Sequence, residues 1–311
     1  MVSVDLICMG EPMLELNQQA PGHAGERVYR SGHGGDTSNA AIAAARQGAS
    51  VAYLTAVGRD DGGDSFLELW RAEGIETAHV VQDALRPTAV YLVHHGADGH
   101  AFQYYRQGSA ASVYAPTHVP DEAIREAKIL YASGISQGIS NSACDAVFHA
   151  IDVARGAGVK VAYDTNYRPS LWPAARASAI IHAAISQSSI ALPGLEDATL
   201  LTGLTDPDAI VDFYLHLGPS LVALKMGARG TLLATPAERL LVAPFPCTPV
   251  DATGAGDTFC GAFLARLIAG DGPPDAAAYA ACAAALSTIG YGAVPPIPHA
   301  ASVRAAMAAQ A

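Results

Sequence analysis

The sequence predicts an α/β fold in three layers: a Rossmann-like, mostly parallel sheet flanked by helices, with a small β-sheet lid. Two observations carry this. Short β-branched or apolar runs alternate with alanine-rich helical stretches along most of the 311 residues, the pattern of successive βαβ units. Two stretches break that rhythm, residues 13–30 and 88–106, and hold strand-like runs with no helix between partners.

Strands of the main sheet are expected at Val4–Met9, Val51–Val57, Ile129–Ala132, Val159–Tyr163, Ile190–Leu192 and Leu221–Lys225. Helical spacing of apolar residues predicts helices over Thr37–Gln47, Ser65–Glu73, Ser142–Arg155, Ala174–Ser186, Pro207–Leu217, Ala255–Ile268 and Pro274–Thr288. The lid runs are Leu14–Asn17, Val28–Arg30, Ala89–His95 and Phe102–Arg106, with Gly96-Ala97-Asp98-Gly99 as a hairpin turn. There is no internal repeat, no low-complexity linker and no cut into sequential domains. Residues 1–311 therefore read as one domain, with segments 13–30 and 88–106 inserted in it as the lid. The Pro295-Pro296-Ile297-Pro298 run is expected only to end the fold before a short terminal helix.

Half the residues are hydrophobic and 15% are charged, enough for a sizeable core. The formal charge of -11 argues against nucleic-acid binding, which needs a basic face. An anionic substrate must then be caught locally, by a few placed arginines and backbone N–H groups. Cys8, Cys144, Cys247, Cys260 and Cys282 form no C-x-x-C pair and read as buried thiols in a reducing compartment. The opening MVSVDLICMG lacks a basic n-region and a signal-length apolar run, and no stretch is long enough to span a membrane. A cytoplasmic protein with no membrane partner is the expectation.

The most informative segment is Asp251-Ala-Thr253-Gly254-Ala255-Gly256-Asp257-Thr258, which runs directly into a helical pattern. Gly254, Ala255 and Gly256 thus fall at a helix N-terminus, where unpaired N–H groups and the positive dipole end make an anion site. Small residues let a phosphate approach the backbone closely. Asp257 falls in the first turn, placed to take a proton from a hydroxyl attacking that phosphate. The plain alternative is a tight turn with Asp257 as a cap. The octapeptide resembles the signature of the ribokinase-like (PfkB-type) carbohydrate kinases, and that resemblance makes Asp257 the catalytic base. It is neither a Walker P-loop nor a G-x-G-x-x-G fingerprint.

Three further segments resemble that family in order along the chain. Gly32-His33-Gly34-Gly35-Asp36-Thr-Ser-Asn39 is similar to its sugar-binding motif and Gly58-Arg-Asp60-Asp61-Gly62-Gly-Asp64 to its next loop. Leu224-Lys225-Met-Gly227-Ala-Arg-Gly230 is similar to the segment beside its nucleotide. The resemblance implies ATP and Mg²⁺, leaves open a monovalent cation near Asp251 and Thr253, and implies lid sheets that pair between subunits. One departure stands out: the family's N-x-x-E motif is replaced by Gly194-Leu195-Glu196-Asp197. Asp197 or Glu196 remains to organise Mg²⁺ through water.

The acceptor signal comes from the lid. Strand alternation puts Tyr104 and Arg106 on one side, a pair suited to a polyol bearing a carboxylate. Asp164-Thr-Asn166-Tyr-Arg168 follows a strand, so Arg168 supplies a second cation at a strand's carboxyl end. A surface salt bridge is the commoner fate of an arginine, and sheet packing that of a tyrosine. Together with Gly10-Glu11-Pro12-Met13-Leu-Glu15, these segments resemble the 2-keto-3-deoxygluconate kinase branch of the family. The resemblance implies transfer of the ATP γ-phosphate to the 6-hydroxyl of that acid sugar. It also implies substrate contacts from Gly34, Gly35, Asp36, Asn39, Tyr91, Tyr104, Arg106 and Arg168. The same chemistry on a neutral sugar such as fructose or ribose is the nearest rival, and a non-catalytic binding module the distant one. His94 and His95 point to opposite faces and share no metal, while His33 reads as either a substrate contact or surface. The Asp60-Asp61-Asp64 cluster reads as a loop ending in an N-cap.

Overall fold

In the computed structural model, which describes residues 4–19, 25–96 and 99–310, the chain enters the main sheet at β1 (Leu6–Met9). It leaves through β2 (Met13–Gln18) and β3 (Tyr29–Gly34), then returns by α1 (Asp36–Arg46) to β4 (Val51–Gly58). After α2 (Asp61–Ala72) and β5 (Val80–Asp83) comes a second excursion, β6 (Ala89–Gly96) and β7 (Gly99–Tyr105). The chain continues through α3 (Asp121–Glu126), β8 (Ile129–Ser133), α4 (Gly134–Gly138), α5 (Asn141–Gly156) and β9 (Lys160–Asp164). Next are α6 (Ala174–Ile185), β10 (Ile190–Ala191), α7 (Leu195–Thr202), α8 (Pro207–Leu217) and β11 (Leu221–Lys225). The hairpin β12 (Thr231–Ala234) and β13 (Arg239–Val242) precedes α9 (Ala255–Ile268), α10 (Pro273–Ser287) and α11 (Ala300–Ala308).

The main sheet has nine strands in the order β13-β12-β11-β10-β9-β8-β1-β4-β5, all running the same way except β12, which is antiparallel to both its neighbours. Its inner strands are buried end to end, as strands covered on both faces must be. Alternate residues feed two cores: Leu6 and Cys8 join the one under α1, α9 and α10, while Ile7 and Met9 join the one under α5, α6 and α8. The second sheet has four strands in the order β3-β2-β6-β7. It is mixed, with β2 and β6 parallel and the outer pairs antiparallel. No helix among the described residues is long and apolar enough to cross a membrane.

Several expectations need correcting. β3 runs on to Gly34, so the glycine-rich motif is first strand and only then helix. Gly32 faces the Glu15 side chain and Gly34 pairs with Met13, and a run of glycines gives no strand signal. Helix α2 begins at Asp61 rather than Ser65, with the Asp60 carboxylate accepting from Gly63 N at 2.8 Å. Strand β7 stops at Tyr105, one residue before Arg106. Gly96 pairs with Gly99 as a hairpin requires, though the central Ala97-Asp98 lies outside the described residues. Cys247 is exposed, held in a proline-rich loop that joins no strand. The segment before α11 does more than end the fold, since the Val294 and Ile297 carbonyls accept from Arg46 and both side chains are buried.

Candidate active site

Helices α1 and α9 bring the central residues together, and their closeness is written in small side chains. A Cβ on Gly261 would lie 2.1 Å from the Ala40 carbonyl oxygen, so only glycine permits this helix crossing. One turn earlier on α9, Asp257 meets Asn39, whose Nδ2 donates to Asp257 Oδ2 at 2.8 Å. Burial first, and the Asp36 carboxylate second, push the Asp257 pKa up to about 7 against the Asn39 bond. Asp36 opens α1 buried, accepting from Ser133 Oγ at 2.5 Å and Asn166 Nδ2 at 2.8 Å. Asn166 holds a φ of 27°, a left-handed conformation that aims its amide at Asp36.

No side chain caps α9, and Gly254 takes a φ of 74° at its N-cap. The Ala255 N–H is occupied by the Ala252 carbonyl at 3.2 Å, which corrects its expected place in the anion hole. The Gly256 and Asp257 N–H groups remain for an anion. A Cβ on Gly256 would meet only Lys225 Nζ, at 3.9 Å, so this position opens on the cleft. Asp251 does not line the cleft; its carboxylate braces the loop, accepting from Thr253 N at 2.9 Å, Thr253 Oγ1 at 2.6 Å and Gly292 N at 2.9 Å.

Lys225, at the end of β11, donates to Asp164 Oδ2 at 2.6 Å. Burial opposes its charge, but Asp164 more than offsets this and holds the ammonium above its ordinary pKa. Gly227 and Gly230 follow at φ 57° and 88°, lining the same cleft. Gly230 has no alternative, since a Cβ there would lie 2.1 Å from the Val242 carbonyl oxygen. Arg168 is half exposed and reaches Asp197 at 4.0 Å. Burial, then Asp164, raises the Asp197 pKa to about 6. No cluster of three His, Cys, Asp or Glu among the described residues could cage a metal ion. The largely buried Asp197 carboxylate, with Arg168 at 4.0 Å, lines the cleft beside Glu196 and fits a cation bound mainly by phosphate oxygens and water.

The second sheet closes the other end. Tyr91 is buried, donates to Glu15 Oε2 at 2.5 Å, and packs where a Cβ on Gly34 would strike its hydroxyl. The Arg106 guanidinium carbon lies 5.5 Å from the Tyr104 ring centroid, so these two do share a side. Arg106 is not free, however: its Nη2 donates to Glu11 Oε2, a fully buried carboxylate. Arg106 Nε and Glu11 Oε1 are left buried without partners. His33 turns away from the cleft to Ser65 Oγ at 2.7 Å, and His94 bonds Gln18; the His95 side chain lies outside the described set.

One cavity of about 1330 Å³ gathers these groups. Gly34, Gly35, Asp36, Asn39, Tyr91, Tyr104, Arg106 and Arg168 line it. Lys225, Thr253, Gly254, Gly256 and Asp257 stand around α9, and Asp197 lies nearby. Sequence reasoning passed over Glu11, Asp164 and Asn166, although all three lie inside segments it singled out. It also passed over an apolar wall of Phe245, Cys247, Ala281, Ala284 and Ala285, which local sequence does not distinguish from core.

The model of the pfkB family carbohydrate kinases matches residues 4–300, and the chain belongs to that family. A curated 2-dehydro-3-deoxygluconokinase of Thermoproteus tenax is 32% identical, over 91% of this chain and 88% of that protein. The crystal structure of a PfkB protein from Polaromonas sp. JS666 superposes with a TM-score of 0.87 at 32% identity, covering 97% and 99% of the two chains. A fructokinase of Vibrio cholerae O395, solved with fructose, ADP and calcium ion, superposes at 0.86 and 25% identity over 97% and 98%.

Proposed function

We propose that this pfkB-family sugar kinase transfers the γ-phosphate of ATP to the 6-hydroxyl of 2-keto-3-deoxygluconate. The observation that carries the reading is the shared cavity, lined by the open helix N-terminus, Asp257, Arg106 and Arg168. The relative from Thermoproteus tenax supports the acid sugar. The sugar hydroxyl gives its proton to the Asp257 carboxylate as its oxygen forms the new bond to phosphorus. The bond from that phosphorus to the β–γ bridging oxygen breaks, and ADP leaves. The Gly256 and Asp257 N–H groups hold the charge on the transferring group. When bound, Mg²⁺ would neutralise phosphate charge, with Asp197 and Glu196 as the side chains to hold its water.

Arg106 and Arg168 hold the sugar carboxylate, and Tyr104 and Tyr91 line the path to it. The unpartnered Nε of Arg106 supports a ligand role, since its single bond to Glu11 leaves donors of the fork unused. The apolar wall from Phe245 to Ala285 suits an adenine ring, with Gly227 and Gly230 beside it. The second sheet acts as a lid that excludes water on closing. Its outer strand β7 leaves Phe102 and Tyr105 exposed, which supports pairing of such sheets between two subunits.

A neutral sugar is the second reading, favoured by the fructokinase likeness and by Glu11 already neutralising Arg106. A coupled ADP-release screen with MgATP over acid and neutral sugars decides between them. Turnover on fructose well above that on the keto-acid would overturn the first reading.

A further inference from the structure

The sequence places Lys225 in the wall of the nucleotide cleft, but its ammonium is drawn back to the centre of the site. Three elements converge on it. Asp164 ends β9, Lys225 ends β11, and Cys260 lies on α9 one turn after Gly256 and Asp257. Lys225 Nζ is 2.6 Å from Asp164 Oδ2 and 3.2 Å from Cys260 Sγ, and Cys260 Sγ is 3.3 Å from that same carboxylate oxygen. The three atoms close a triangle in which the thiol accepts from the ammonium and donates to the carboxylate. Asp164 and Cys260 are both buried.

An ammonium has three N–H donors, and the seat uses two. The third is left for a ligand, since Lys225 lines the cleft and its Nζ lies 3.9 Å from where a Cβ on Gly256 would stand. That is the opening of the α9 N-terminus, where the phosphoryl group must pass. We propose that Asp164 and Cys260 seat the Lys225 ammonium beside Gly256 so that it holds the phosphoryl group in flight. Lys225 is then a catalytic group, and Asp164 and Cys260 are its positioning residues. This rests on the phosphotransfer reading and not on which sugar is the acceptor. Lys225 moves no proton: it donates to a non-bridging oxygen while the acceptor's proton goes to Asp257.

Charge balance requires such a cation. The charged and polar groups that act most on Asp257 are Asp36 and Asn39 from α1, Asp164 from β9 and Lys225 from β11, with Tyr91 of β6, Tyr131 of β8 and Cys260 of α9 also within its reach. Three carboxylates therefore face one ammonium before any phosphate arrives, and a transferring phosphoryl adds more negative charge at the same point.

The test uses Lys225→Met and Asp164→Asn, assayed on whichever sugar the ADP-release screen identifies, with ADP binding and thermal melting followed in parallel. Lys225→Met should lower kcat by about 10²–10³-fold, the usual loss for one donor to transition-state charge, with the KM for ATP little changed. Asp164→Asn, nearly isosteric, should lower kcat about tenfold. The acid limbs of kcat/KM should move in opposite directions. Losing Lys225 removes a cation near Asp257 and moves its limb up in pH, whereas losing Asp164 removes a like charge and moves it down. A role confined to packing would show in the melting temperature without the loss in kcat. Should Lys225→Met unfold, the doubly neutral Lys225→Met/Asp164→Asn leaves no buried charge at the seat and should show the same loss in kcat. A raised KM for ATP with kcat retained, or limbs that move together or not at all, overturns the proposal. Asp257→Asn assayed alongside keeps the two ideas apart, since wild-type turnover there would fail the base assignment and leave the Lys225 result standing.

Discussion

Replacing Arg106 by methionine carries two consequences, and the structure shows how to separate them. The first is affinity: losing the proposed charge-assisted bond to a sugar carboxylate would cost roughly 1.5–3 kcal/mol, or ten- to a hundredfold. The second is stability. Glu11 is fully buried and the Arg106 side chain is only 14% exposed, so the variant strips an interior carboxylate of its cation. Breaking such a pair from one side costs about 3–5 kcal/mol. Burial already raises the Glu11 pKa, with Arg106 the main influence holding it down, so the bereft carboxyl should take up a proton and recover part of that cost. Melting of Arg106→Met should therefore fall less at acid pH than at neutral pH.

The double variant Glu11→Gln/Arg106→Met resolves the two. It removes the orphaned charge and should regain most of the lost stability, while the affinity for the keto-acid stays low. The assay is kcat/KM for wild type, single and double variants on 2-keto-3-deoxygluconate and on fructose, with Tm for each. A loss confined to the keto-acid, unrepaired in the double variant, supports the carboxylate contact. An unaffected keto-acid rate refutes it, and equal losses on both sugars assign the effect to a disturbed second sheet.

Asp257→Asn should keep ADP binding yet lose about 10²–10⁴-fold in kcat, because an amide cannot take the acceptor's proton; single-turnover measurements would read this directly. Gly256→Val should fold normally, since a Cβ there meets only Lys225 Nζ at 3.9 Å, but nucleotide affinity and kcat should both drop; native circular dichroism with normal kinetics would place the phosphate elsewhere. The pH profile has a definite sign. With the Asp257 pKa raised to about 7, the base is ionised only above that value, so kcat/KM should fall about tenfold per pH unit below it and level off above. A profile flat from pH 5 to 8, on the order of the range where a carboxyl raised this far must titrate, would exclude Asp257 as the titrating base.

The main sheet and its larger helices were legible because each is decided locally. Pro207–Leu217 and Ala255–Ile268 lie where their apolar spacing and small caps place them. What escaped was decided by partners far along the chain. Gly32–Gly34 joins a strand only because β2 offers a ladder, and β12 and β13 pair as an edge hairpin after a glycine turn. The site divides in the same way. The 251–258 segment is contiguous, so its chemistry could be read directly. The partner of Arg106 is Glu11, 95 residues away, and that of Lys225 is Asp164, 61 residues away. Spacing alone could not have paired them, though each sits in a stretch already marked as unusual.

These pairings bear on how a protein of net charge -11 could hold a nucleotide and the proposed acid sugar in one cleft. Its cations there are not loose: Arg106 is set against Glu11, Lys225 against Asp164, and Arg168 lies toward Asp197. Each carboxylate repels an anion weakly at a distance but fixes a donor fork or ammonium at close range, where directed hydrogen bonds decide the outcome. An anion therefore gains by replacing or sharing an internal partner rather than by long-range attraction. Raising salt should then change the KM for the acid sugar only slightly, because contacts of this kind lie inside the screening length. A KM that climbs steeply between about 0.05 and 0.5 M salt would instead show that a diffuse field delivers the substrate, and the paired cations would lose that role.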